Sequence, residues 1–107
     1  MKILLDECVT KKLKALLPDH SVFTVTDMKW NGLRNGQLMT KAVEQKFDVL
    51  LTIDKNLLSQ QGIAKHELIV VVLDAASSKI EDLQNFIPAF EKQLPSFSKK
   101  NGYVVNK

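Results

Sequence analysis

Val49-Leu50-Leu51-Thr52-Ile53-Asp54 is an apolar run broken by one threonine and closed by a carboxylate. A strand with one wet face alternates polar and apolar residues, whereas an unbroken run belongs in a sheet covered on both sides. Leu68 to Leu73 repeats the pattern as the most apolar segment of the chain, and Lys2 to Leu5 gives a shorter version. Ser21 to Thr26 alternates β-branched and aromatic residues and reads as a further strand. Tyr103 to Val105 supplies a short last strand at an edge.

Between these runs the period changes. Val9, Leu13, Leu16 and Leu17 stand at helical spacing and stop at Pro18. Asn35-Gly36 opens a helix with an apolar face of Leu38, Met39, Ala42, Val43 and Phe47. Lys55 to Gln61 reads as a short helix closed by Gly62 in the left-handed conformation. Lys79 to Leu94 carries Ile80, Leu83, Ile87, Phe90 and Leu94 on one stripe, with Pro88 set to kink or split it near Phe86-Ile87. Strands and helices in this alternation predict an α/β fold: three layers, α/β/α, around a mostly parallel central sheet of four to five strands. No internal repeat or low-complexity segment interrupts it.

Composition agrees with one domain spanning residues 1–107. The chain is 45% hydrophobic and 25% charged, which excludes collagen-like, disordered and disulfide-scaffold classes. A chain of 107 residues buries enough surface for one core. Cys8 is the only cysteine, so no internal disulfide forms. The first residues reach Asp6-Glu7 too soon for a signal-peptide core, and no apolar run approaches the ~20 residues of a membrane helix. A cytoplasmic protein that does not enter the membrane is expected. The net charge of +3 comes from 15 basic and 12 acidic residues, and all the basic residues except Arg34 are lysines spread along the chain. That excess permits contact with a phosphate backbone without demanding it.

The acids carry more information by position. Asp6 and Glu7 end the first strand, Asp27 follows the second, Asp54 ends the third and Asp74 the fourth. In a parallel sheet these ends share one edge, which is where open α/β sheets bind ligands. Clustered carboxylates repel one another, and a hard cation such as Mg²⁺ or Mn²⁺ relieves that repulsion. Metal-assisted phosphodiester hydrolysis follows as an expectation. Against it stands the preference of Asp for helix N-caps. Asp27 and Asp74 fit caps or loop residues; Asp6 and Asp54, each directly after a buried strand, fit ligands.

Other chemistry is thin. His20 and His66 lie in polar, loop-like segments with no third ligand at metal spacing and read as surface histidines. Cys8 reads as a small buried thiol, and Trp30 as a core plug. Gly32 and Gly36 do not form a phosphate loop, and Ser59, Ser77 and Ser78 have no paired base.

Three stretches carry a resemblance: Ile3-Leu4-Leu5-Asp6-Glu7, then Trp30-x-Gly32-Leu33-x-Asn35-Gly36-x-Leu38, then Phe47 through Thr52-Ile53-Asp54-Lys55-Asn56-Leu57. In order and spacing, over about the first three-quarters of the chain, it resembles the small PIN-like proteins, in the compact bacterial branch related to VapC-type toxins. The resemblance implies a PIN fold and metal-dependent ribonuclease activity. It implies Asp6 and Asp54 as metal ligands, with Lys55 steadying the scissile phosphate or pairing with Asp54. Where PIN proteins often carry two further acids, this chain has Gln37 and Asn56, and Glu7 is the available substitute. Each amide in place of a carboxylate weakens a Mg²⁺ site.

The resemblance also implies a small antitoxin protein as partner, RNA as substrate and a possible homodimer. Ile80 to Leu94 either docks such a partner or covers the sheet. Two alternatives stand beside the nuclease. One is a PIN-like binding module with an impaired site. The other is a receiver-like phosphoacceptor domain using Asp6, Glu7, Asp54, Ser77 and Lys107.

Overall fold

The computed structural model describes residues 1–59 and 62–107. β1 (Lys2–Leu5), β2 (Ser21–Thr24), β3 (Val49–Thr52), β4 (Ile69–Leu73) and β5 (Asn101–Val105) form one sheet in the order β2-β1-β3-β4-β5. Every pairing is parallel, including β4 with β5 at the edge. The α/β expectation holds, with five strands and no antiparallel member among the described residues.

Side chains alternate across a strand, so each buried run feeds two cores. Ile3, Leu5, Val49, Leu51, Ile69, Val71 and Leu73 face one way, while Leu4, Leu50 and Val70 face the other. The first face packs under Leu13 and Leu17 and under Leu83, Phe86, Phe90 and Leu94. The second packs under Leu38, Met39 and Ala42 of α1 (Asn35–Glu44), with Phe47, Leu57 and Ile63. Helical layers on both faces are what make continuous apolar strands tolerable.

The helices differ from their predicted form in instructive ways. The segment expected as a helix over Val9 to Leu17 is a 3-10 helix, Lys11–Leu16, whose N-terminus is capped where the Thr10 hydroxyl accepts the Lys12 N–H. The predicted break near Pro88 is real. α2 (Ile80–Leu83) passes through a 3-10 turn at Gln84–Phe86 into α3 (Ile87–Gln93). Pro88 thus sits in the first turn of α3, where its missing N–H leaves no gap in the ladder.

Lys55–Ser59 is a 3-10 helix, and the remaining residues of that predicted helix, Gln60 and Gln61, lie outside the described residues. Gly62 corrects the expectation placed on it. Its φ is −83°, right-handed, because it leads into the 3-10 turn Ile63–Lys65 instead of closing the preceding helix.

The left-handed closure occurs instead at Lys46, with φ of 63°. Its N–H bonds the Val43 carbonyl at 3.0 Å, and the Phe47 N–H bonds the Ala42 carbonyl at 2.9 Å. This paired pattern satisfies the last carbonyls of α1 and delivers Phe47 into the core directly before β3. No described helix is long and apolar enough to cross a membrane.

Candidate active site

The chain runs from β1 outward to β2, then crosses back to β3 on the other side of β1. The crevice between the carboxyl ends of β1 and β3 is therefore a topological switch point, where no crossover fills the gap. Asp6 and Asp54 end the two strands that flank it. The Asp6 N–H bonds the Leu51 carbonyl at 3.0 Å, which extends the ladder one step past β1 and fixes where its side chain emerges.

Thr52 joins the two acids. It is fully buried, the one polar side chain in β3. Its hydroxyl donates to Asp6 Oδ2 at 2.8 Å and accepts the Asp54 N–H at 3.0 Å. One hydroxyl thus sets the carboxylate of one strand end against the backbone of the next. Asp6 Oδ1 accepts the Glu7 N–H at 2.8 Å, and Asp54 Oδ1 accepts the Asn56 N–H at 2.9 Å. Both residues therefore also cap their own turns, as Asp prefers to do. Neither is ion-paired among the described residues, unlike Asp48 and Glu67 at the opposite end of the molecule.

The other predicted site residues fall elsewhere. Glu7 Oε1 accepts the Gly32 N–H at 2.6 Å, so this carboxylate straps down the loop after β2 and does not stand between Asp6 and Asp54. Gly32 adopts φ of +83°, a conformation open to glycine, and so turns its N–H toward Glu7. Lys55 makes no bond to Asp54; its Nζ reaches the end of β4 and pairs with Asp74 at 2.5 Å. Gln37 Oε1 accepts the Arg34 N–H at 3.2 Å and serves the start of α1. Ser77 donates its hydroxyl to Asp82, and Lys107 is exposed past β5.

Beside the acids, Asp6, Glu7, Val9, Lys11, Thr24, Val25, Thr26 and Asp27 line a cleft of about 420 Å³ between the ends of β1 and β2. Asp27 forms its far wall through a reciprocal turn. It accepts the Thr24 N–H at 2.8 Å and returns its own N–H to Thr24 Oγ1 at 2.9 Å. Lys14 then closes on Asp27 Oδ2 at 2.6 Å.

Sequence reasoning treats Asp27 as a loop residue and gives no sign of Lys14. The Lys11-x-x-Lys14 spacing is the usable signal, because i and i+3 eclipse on a 3-10 helix. The Lys14 ammonium, and after it the Thr24 amide, hold the Asp27 carboxyl below the ordinary aspartate value.

Three further expectations are corrected. Cys8 is exposed, not buried, since it lies in the turn after β1 with Sγ 3.3 Å from Thr52 Oγ1. His20 and His66 are half-buried and held, not free at the surface. His20 Nε2 meets Glu91 at 2.7 Å, and His66 bridges the Gly62 carbonyl and the Thr40 hydroxyl. Trp30 is a partial plug, half-buried and edge-on to Phe47 at 6.0 Å.

No protein family, curated protein or solved structure matches this chain.

The donor set allows a hard cation in a limited form. Among the described residues no three His, Cys, Asp or Glu side chains group closely enough to cage a metal ion. Mg²⁺ seldom needs such a cage; it keeps several waters and is held by one or two carboxylates plus substrate phosphates. Asp6 and Asp54 fit that role. Glu7, committed to Gly32, does not complete it.

A direct check on the cleft wall concerns Asp27. Its lowered pKa means that the pair with Lys14 favours the folded state above the ordinary aspartate value, near 3.9, and that this contribution fades as pH falls through the folded value. Lys14→Gln should move the Asp27 carboxyl midpoint upward, toward that ordinary value, in a carbon-detected NMR titration. An unmoved midpoint would remove Lys14 as its cause.

Proposed function

We propose that this protein is a metal-dependent endoribonuclease of the PIN-like kind. It works in the cytoplasm as the toxin of a toxin–antitoxin pair, with a small antitoxin protein as its partner. The observation that carries the reading is the Asp6–Thr52–Asp54 arrangement at the switch point of the sheet. Neither acid is ion-paired among the described residues, Asp6 lines the cleft, and a buried hydroxyl ties its carboxylate to the backbone of Asp54.

When bound, Mg²⁺ or Mn²⁺ supplies water activation and charge neutralisation for displacement at phosphorus. The chain's own residues do the rest. Asp6 and Asp54 provide hard oxygen donors, and Thr52 orients Asp6 and keeps its Oδ2 hydrogen-bonded. The Asn56 amide holds the Asp54 carboxylate in place through Oδ1. Lys55, at the site's outer rim and paired with Asp74, is placed to meet a phosphate by exchanging that partner.

A second reading has its own support. The lack of a three-ligand group among the described residues favours a binding module with an impaired site. The phosphoacceptor alternative is weaker, since Ser77 is engaged by Asp82 and Lys107 is exposed past β5.

One experiment separates the nuclease from the binding module. A labelled single-stranded RNA incubated with the purified protein should be cut in Mg²⁺ or Mn²⁺ and left whole in EDTA, with calorimetry showing uptake of the ion. RNA left intact in either ion, with no heat of metal binding, would favour the binding module.

A further inference from the structure

Resting on the nuclease reading, we propose that Lys11 is the substrate-positioning residue of the cleft, receiving a backbone phosphate of a single-stranded RNA. The argument begins with the 3-10 helix Lys11–Leu16. Residues three apart eclipse on such a helix, so Lys11 and Lys14 lie on one face, about 6 Å apart along the axis at a rise of ~2 Å per residue. The Lys14–Asp27 bond at 2.6 Å shows that this face points toward the turn after β2, whose Asp27 lines the cleft. Lys11 lines the same cleft with Asp6 and Glu7, yet forms no ion pair among the described residues. A lysine facing three lining carboxylates without closing on one leaves its ammonium open to an incoming anion.

The chemistry of the lining narrows that anion. A small ligand with several charges on adjoining phosphates would set them all against Asp6, Glu7 and Asp27 and be repelled. A phosphodiester carries one charge per unit, so one phosphate can sit on Lys11 while the next lies toward Asp6 and Asp54, where the cation neutralises it. A cleft of about 420 Å³ is at the lower end of ligand pockets, with room for a unit or two of extended strand and none for a duplex. Thr24 and Thr26 on the far wall offer hydroxyls near the sugar, where RNA carries its extra hydroxyl.

Lys12 provides the control, because it follows Lys11 on the same helix, is exposed and does not line the cleft. In an Asp6→Asn background that prevents cutting, binding of a fluorescein-labelled ten-nucleotide RNA is followed by anisotropy across a NaCl series. Lys11→Gln should weaken binding about five- to tenfold at low salt and lower the log–log salt slope by ~0.7, the loss of one single-strand phosphate contact. Lys12→Gln should change the affinity less than twofold. With Asp6 restored, Lys11→Gln should raise KM with kcat nearly unchanged, which a merely structural lysine would not do.

RNA binding with an unaltered Kd and slope in the Lys11→Gln protein would overturn this inference and leave the nuclease standing. Absence of RNA cleavage by the wild-type protein in both ions would overturn the nuclease reading, and this inference with it.

Discussion

Asp6→Asn should reduce RNA cleavage in Mg²⁺ or Mn²⁺ by roughly a hundred- to a thousandfold, the scale of one lost charge contact in a transition state. The substitution keeps shape and removes charge. Asn keeps one side-chain oxygen, which can still accept the Glu7 N–H, while its amide NH2 replaces Oδ2 and turns the Thr52 hydroxyl from donor to acceptor. The melting curve should shift by less than about 1 kcal/mol in stability, because Asp6 is half-buried and closes no ion pair. Lost activity with retained stability is the signature of a ligand. A variant that cuts RNA as well as the parent protein would remove Asp6 from the chemistry.

Phe47→Ala tests the other half of the design, the core that carries the site, and should cost about 3–5 kcal/mol by urea unfolding. The ring is buried, meets Phe23 edge-on at 5.7 Å and Trp30 at 6.0 Å, and lies under the Lys2 ammonium at 4.4 Å. Alanine keeps the N–H that closes α1 on the Ala42 carbonyl, so the loss isolates the ring from the turn. Domains of this kind are stable by only about 5–15 kcal/mol, so the variant should be near its unfolding threshold at ambient temperature. A cost below about 1 kcal/mol would show that neighbouring side chains collapse into the space.

The sheet was legible because its cause is local. Val49 to Thr52 and Ile69 to Leu73 are buried on both faces, and that condition is written into consecutive residues. Pro88 marks its own break for the same reason, through a missing N–H that any environment would feel. Helix type was less legible. Leu13 and Leu16 satisfy an α pattern and a 3-10 pattern equally, and the short link from β1 to β2 decides between them.

The site divided along similar lines. That Asp6 and Asp54 share an edge follows from strand direction alone. That Thr52 joins them depends on β1 and β3 being neighbours, a fact of sheet order that one run of residues does not contain. Lys55 to Asp74 and Glu7 to Gly32 are choices between partners brought close by loops, decided by a few ångströms of reach. Cys8 looked apolar by type and is exposed by position. Residue chemistry names the candidates, and only placement decides which of them meet.

The uninterrupted parallel order also bears on time. Among the described residues no strand meets its neighbour through a tight hairpin, so every ladder waits for a crossover to be laid down first. β1 must hold partners from both Ser21–Thr24 and Val49–Thr52 before either core layer is sealed. Chains dominated by such distant pairings gather slowly, because loop entropy is spent before contacts return it. Asp6 and Asp54, nearly half the chain apart, become neighbours only once the central pair has formed. The sheet edge that carries both acids therefore exists only after β1 and β3 have paired.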